Sequence, residues 1–384
     1  MRLLLIEPTP SPNTMKLNVD DKLPHGQRVS YTPDTAENAP EPLRSLLAIK
    51  GVRGLFRTAD FIALDRKPGA DWETILAEAR GLLQSGEKQE DGGSVNASHE
   101  SFGEAHAFVQ LYRGIPMQVR VRTSDREVRA AMPAAFADAV TAAAAASMIR
   151  ERKLEELGVR YGDPDEIAAE LVKELEAAYP AMRLQELVAA SLAQGSATGE
   201  NGAAALAIRP APLTAGELAQ RLSSPDWSVR YEALSRTQPQ PDMLPLLAGA
   251  LADDNVSIRR LAVVYLGELR IPEALPHLFT ALRDASASVR RTAGDTLSDL
   301  GDPAAVGPMI EALSDRNKLV RWRAARFLYE AGDETAVEAL QTAADDSEFE
   351  VSLQARMALE RIQRGEEAAG SVWQQMTALR RKEE

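Results

Sequence analysis

Apolar and polar positions along the first 193 residues fall into strand-length and helix-length runs. Residues 3–6 are continuously apolar, as in a buried strand, while residues 15–19 and 28–31 alternate with a period of two. Leu43, Leu46 and Leu47 share one helical face between Pro42 and Ile49, and Gly51 ends that helix. Residues 52–56 and 61–64, joined at Thr58-Ala59-Asp60, predict a hairpin, and Asp71 caps a helix running to Gln84. Further on, residues 107–112 and 117–121 predict two strands joined across Arg113-Gly114-Ile115-Pro116. Ser124 and Glu127 have capping-box spacing and predict a helix that Pro133 interrupts; a second helix is expected from 134 to 157, ending at Gly158. Asp163-Pro164 opens a helix to Ala178, Pro180 breaks it, and residues 183–193 form a last short helix.

Beyond residue 213 the pattern changes to a repeat. The tripeptides Val229-Arg230-Tyr231, Ile258-Arg259-Arg260, Val289-Arg290-Arg291, Val320-Arg321-Trp322 and Val351-Ser352-Leu353 place one position at 230, 259, 290, 321 and 352. Asp253, Asp284, Asp315 and Asp346 keep the same beat, six residues upstream. A period of about 31 predicts a solenoid of paired helices, each unit burying its apolar face against its neighbours. In the second unit, residues 244–251 form the first helix and 257–269 the second, with Ile258, Leu261, Ala262, Tyr265, Leu266 and Leu269 on one buried face.

Two polar, glycine-bearing stretches, 86–101 and 194–212, separate these regions as linkers. The expected domains are therefore an α+β domain at 1–85, a small α+β domain at 102–193, and about five all-α repeats at 213–365. Val372, Met376 and Leu379 make a short stripe in 366–384, read as a helix capping the last repeat, with a free tail as the alternative.

Composition narrows the chemistry. The chain of 384 residues carries a net charge of −13, with both halves acidic: 24 basic against 30 acidic residues before position 210, and 20 against 27 from there on. Neither half has the basic footprint of a nucleic-acid or anionic-membrane binder, so neither partner is expected. There is no cysteine, which excludes disulfides, thiolate metal sites and cysteine nucleophiles. The apolar run at 3–6 is too short for a secretory signal, and a cytoplasmic protein is expected.

Three resemblances follow from specific residues. Glu7-Pro-Thr-Pro-Ser-Pro-Asn-Thr-Met-Lys16, Gly51-Val52, Asp60-Phe61-Ile62 and Asp71-Trp72 resemble the N-terminal domain of Nfu/NifU-type iron–sulfur scaffold proteins. In those scaffolds the cluster sits on a Cys-x-x-Cys pair in a separate domain that this chain lacks, so iron enters only through the resemblance. The repeats are similar to short HEAT-like repeats. Phe108-Val-Gln-Leu-Tyr-Arg-Gly-Ile-Pro-Met-Gln-Val-Arg120, with Glu151-Arg-Lys and Gly158-Val-Arg-Tyr-Gly-Asp163, is similar to the middle of the conserved virulence factor C family. That resemblance spans nearly the whole chain. It implies an indirect, regulatory influence on virulence-gene expression and assigns no catalytic residues.

Within the repeats, each turn aspartate is placed to accept backbone N–H groups, and each arginine to reach the aspartate of an adjacent unit. Asp253, Arg259, Asp284, Arg290, Asp315 and Arg321 are therefore read as a structural ladder, in preference to an anion-binding row. The next register holds Arg260, Arg291 and Trp322, with Arg326 four residues beyond Trp322. These lie opposite the buried stripe, so they are expected to line a concave face that binds a protein partner; an ordinary charged outer face is the competing reading. His25 beside Asp20 and Asp21 reads as a solvated turn. His99 with His106 is a weak metal pair, and Arg150, Arg152, Lys153 and Arg160, with Tyr161 beside them, could form a basic patch but read better as a solvated helix end. No phosphate loop or nucleophile motif occurs. The expected function is a non-enzymatic adaptor without cofactor, with an accessory role in iron–sulfur assembly as the alternative. Oligomeric state is not encoded in any of these patterns.

Overall fold

The structure is a computed structural model that describes residues 1–8, 14–24, 27–67, 70–83, 104–123, 126–144, 152–193 and 210–365. The N-terminal part contains β1 (Leu3–Pro8), β2 (Thr14–Val19), β3 (Arg28–Tyr31), α1 (Leu43–Ala48), β4 (Val52–Thr58), β5 (Phe61–Arg66) and α2 (Trp72–Leu83). Its strands form an antiparallel sheet in the order β1-β2-β5-β4-β3. Strict alternation puts Met15, Leu17 and Val19 of β2, and Ile62 and Leu64 of β5, on one face. Leu43, Leu46 and Leu47 of α1 and Trp72, Ile75 and Ala79 of α2 complete that core. The Asp71 carboxylate accepts the Thr74 N–H at 3.0 Å and so starts α2.

The middle part contains β6 (Glu104–Tyr112), β7 (Ile115–Arg122), β8 (Glu127–Ala131), α3 (Ala134–Ala143), β9 (Arg152–Tyr161), α4 (Pro164–Ala178) and α5 (Ala181–Ala193). The antiparallel sheet runs β8-β7-β6-β9, with the helices on one face. Arg113 and Gly114, at φ 48° and 81°, make the two-residue turn between β6 and β7, the geometry that matches strand twist.

Two expectations fail here. Glu127 opens a strand and not a helix: its carboxylate bonds Arg122 across the β7–β8 hairpin. The helix from Ala134 stops at Ala143, and residues expected in its second half form β9. The segment Arg-Lys-Leu-Glu-Glu-Leu is a good helix former by composition, but pairing to the open edge of β6 overrides that local preference. Gly158, read as a helix stop, has φ +92° where the β6–β9 register slips, so it serves a bulge.

The C-terminal part is helical: α6 (Ala215–Leu222) pairs with α7 (Trp227–Ser235), α8 (Leu244–Ala250) with α9 (Val256–Leu269), α10 (Leu275–Ala281) with α11 (Ala287–Leu300), and α14 (Val337–Ala343) with α15 (Phe349–Gln363), while α12 (Val306–Ala312) and α13 (Lys318–Ala331) lie between the third pair and the last in sequence. From the second hairpin on, the period seen in the sequence is a seven-residue helix, an aspartate turn and a helix of 14 or 15 residues.

The chain divides into two compact units, residues 1–102 with 313–384 and residues 103–312. In the first, Phe349 and Leu353 of α15 pack on the N-terminal core. In the second, α4 lies along α7, and β9 touches α11. Each α/β domain is therefore packed on repeat helices. Among the described residues, no helix is long and apolar enough to cross a membrane. The proposed terminal helix at 366–384 and both linkers lie outside the described residues, apart from Pro210 to Pro212.

Candidate functional site

The arginine and aspartate of the repeat turns form rungs between successive hairpins. Arg230 meets Asp253 through Nε (2.7 Å) and Nη2 (2.8 Å); Arg259 meets Asp284 at 2.7 and 3.0 Å; Arg321 meets Asp346 at 2.6 and 2.9 Å. The remaining Nη1 of each arginine donates to carbonyls of its own turn, as at Asp253 and Asp254 for Arg259. Each aspartate also accepts the N–H two residues on: Asn255, Ser286, Asn317 and Glu348 for Asp253, Asp284, Asp315 and Asp346. Arg290 donates to the Asp284 and Ala285 carbonyls. Burial alone would raise the Asp253 and Asp346 carboxyls, but the arginine and backbone bonds outweigh it and hold both below the usual aspartate range. Arg230, Arg259 and Arg321 thus join one repeat to the next, and their donors are spent on the paired aspartates and on turn carbonyls.

The neighbouring register behaves differently from its expected role. Arg260, Arg291, Trp322 and Arg326 are 9%, 3%, 6% and 5% exposed, so none of them lines an open face. In the second unit the cover is the middle domain. Glu174 of α4, itself buried, accepts from Arg160 at 2.9 Å and from the Tyr231 hydroxyl at 3.1 Å, and it pairs with Arg260 at 3.6 Å. Burial, and then the Glu174 charge, push the Tyr231 hydroxyl well above its usual range, so it stays a donor. Arg291 stacks its guanidinium 4.0 Å from the centre of the Tyr161 ring and bonds Asp295 at 2.6 Å. In the first unit Arg326 pairs with Glu330 on its own helix at 2.7 Å. Leu353, in the register of Arg260 and Arg291, packs on the N-terminal core. Within the second unit, Arg260 and Arg291, read as partner contacts, thus hold the middle domain.

Comparison with known proteins identifies the parts. Residues 4–89 match the Nfu/NifU scaffold protein N-terminal family, residues 110–188 the virulence factor family, and residues 215–293 and 275–360 HEAT repeats. A protein of Bacillus subtilis called uncharacterized protein YpgR is 52% identical, with all of both chains covered. The conserved virulence factor C of Staphylococcus aureus strain MRSA252 is 45% identical, covering 98% of this chain and 99% of that one. The chain belongs to the conserved virulence factor C family. The crystal structure of Staphylococcus aureus protein SAV1430 is 29% identical over 21% of this chain and 98% of its own, with a TM-score of 0.21.

In this member of the virulence factor C family the first unit has a second buried contact. Arg66 of β5 pairs with Glu350 of α15 at 3.2 Å, donates to the Ala70 carbonyl at 3.1 Å, and lies 5.3 Å from the centre of the Trp72 ring. Burial lowers the Arg66 guanidinium, against the pull of Glu350. Sequence reasoning missed Glu174, Arg66 and Glu350, and took Tyr161 only as a neighbour of a basic helix end. Two of them were signalled. Arg66 follows Ile62 and Leu64 at the inward positions of β5, and Glu174 follows Ile167 and Leu171 on the buried stripe of α4. A charge on an apolar stripe marks a partner waiting across an interface.

The other candidates are placed as follows. His106 pairs with Glu156 at 3.2 Å on the outer face of the middle sheet. Arg152 and Lys153 lie on strand β9, not on a helix end. His25, His99, Arg150 and Ser124 lie outside the described residues. The chain's donors do not fit a resident iron–sulfur cluster: cysteine is absent, and among the described residues no group of three or more histidine, aspartate or glutamate side chains could hold a metal.

Proposed function

We propose that this protein is a non-enzymatic scaffold of the cytoplasm. Its repeats act first as a frame for its own two α/β domains, and a protein partner engages the surfaces those domains leave open. The observation that carries this reading is the burial of Arg260 and Arg291 beneath Glu174 and Tyr161. Interface anchors of the kind that bind partners elsewhere are here consumed within the chain. An indirect regulatory role, of the sort the resemblance to the virulence factor C family implies, would then run through the partner and not through a reaction at this site.

Cross-linking of the full-length protein in its native cytoplasm, read by mass spectrometry, tests the reading. A defined partner should cross-link to the outer faces of the α/β domains. Cross-links from a partner to α9 and α11 around Arg260 and Arg291 would show that the middle domain yields that face, and would overturn it.

A second reading rests on the match of residues 4–89 to the Nfu/NifU N-terminal family. The N-terminal domain would dock on iron–sulfur assembly proteins without holding a cluster itself. Mixing the purified protein with a loaded scaffold tests this; no complex and no effect on cluster transfer would remove it.

A further inference from the structure

The middle sheet has one face packed on helices and one face open, and the open face is unlike the rest of this acidic chain. Register places Val159, His106, Arg122 and Glu127 in one row across it, Glu156, Phe108, Arg120 and Arg129 in the next, and Leu154, Gln110, Gln118 and Ala131 in the third. Three arginines surround one carboxylate. Glu127 accepts from Arg122 at 2.8 Å and from Arg129 at 2.6 Å, and it lies 4.0 Å from Arg120. The Arg122 and Arg129 side chains are 50% and 59% exposed, and Arg129 engages Glu127 through Nε alone, leaving its terminal nitrogens to solvent. Arg122 also lies 5.3 Å from the centre of the Phe108 ring, and Leu154 and Val159 are exposed on the same face. An arginine cluster with one internal anion, beside an apolar floor, is a half-filled carboxylate site.

We propose that this face binds a short acidic protein segment carrying an apolar residue, with its carboxylates joining or displacing Glu127 among Arg120, Arg122 and Arg129. Neighbouring strands lie about 4.8 Å apart and an extended chain advances about 3.3 Å per residue. The cations of β7 and β8 therefore match two or three consecutive residues of such a segment. Glu156 lies in the same row as Arg120 and Arg129, toward β9, and repels a phosphodiester strand crossing the sheet, so the charge pattern favours carboxylates confined to the β7–β8 side over a nucleic acid. This inference names the partner chemistry of the scaffold reading and rests on it.

The probe is a fluorescein-labelled decapeptide of aspartate and glutamate with two leucines, titrated into the full-length protein and read by anisotropy. Binding should weaken at least tenfold in R122E/R129E and tenfold or less in R129A, and should strengthen severalfold in E127Q, where the competing carboxylate is gone. Unchanged urea midpoints for R129A keep the comparison valid if the double variant folds poorly. Peptide binding that ignores all three variants overturns the proposal, and so does no binding by the unaltered protein. An oligonucleotide of ten single-stranded residues that binds more tightly, with the same variant dependence, assigns the face to nucleic acid instead and also overturns it. If the cellular partner cross-links elsewhere while the peptide fails here, the scaffold reading survives and this one falls. If the peptide binds here and no partner cross-links, the reverse holds.

Discussion

Arg259 holds Asp284 of the following repeat with two nitrogens while its third holds the Asp253 and Asp254 carbonyls of its own turn. One side chain therefore fixes both the shape of a turn and the distance to the next hairpin. Arg230 does the same for Asp253 with the Ser224 and Pro225 carbonyls. The geometry needs a planar fork, which lysine lacks.

Replacing Arg259 with alanine leaves the part-buried Asp284 without its arginine. We expect a loss of about 3 kcal/mol in urea denaturation, with Arg259→Lys recovering less than half. Equal stability of the lysine variant and the parent would show that the fork is unimportant.

The same rungs predict an acid limb. Asp253 and Asp346 titrate below the ordinary aspartate value of 3.8. As pH falls, the unfolded chain takes up protons before the folded one does. Their contribution is thus full above about pH 4 and is lost as the pH drops through the folded values. The urea midpoint should fall steeply below about pH 4, and Asp253→Asn with Asp346→Asn should flatten that fall while lowering stability at neutral pH.

Arg66 and Glu350 are 2% and 8% exposed. Glu350→Ala strands a buried guanidinium and should cost about 3–5 kcal/mol, whereas Arg66→Met with Glu350→Leu should come close to the parent in thermal unfolding. A double variant as damaged as the single one would mean the charges do more than satisfy each other.

Arg291→Ala removes the stacking on Tyr161 and the bond to Asp295. A desolvated cation–π contact contributes about 2 kcal/mol. Hydrogen exchange should accelerate along β9 and α4 and remain unchanged in α14 and α15. Uniform acceleration everywhere would locate the effect in global stability and not in domain docking.

A close approach sets the α9–α11 packing. A methyl added at Gly267 would stand 2.2 Å from Cγ2 of Thr296. Gly267→Ala should cost about 1–3 kcal/mol through overpacking, despite the roughly 1 kcal/mol that alanine gains in a helix. Thr296→Ser in the same chain removes the clashing methyl and should restore the parent's melting temperature or exceed it.

The repeat architecture was legible in one dimension because its causes are local. A helix pair with an aspartate turn recurs whenever the same spacing recurs, and an arginine six residues past the aspartate lands on the first turn of the next helix. The sequence also singled out Arg260, Arg291 and Trp322 as positions that stacking does not explain. What it could not supply was the occupant. Helical spacing fixes which face a side chain takes, but whether solvent, a partner or another domain lies opposite depends on contacts made far along the chain, such as Glu174 and Tyr161. Strand β9 was hidden for the same reason: its residues favour a helix until the free edge of β6 offers them a ladder of hydrogen bonds. Composition, period and rung chemistry were thus settled by the order of residues alone, while the burial of Arg260 and Arg291 was decided only when distant segments closed over them.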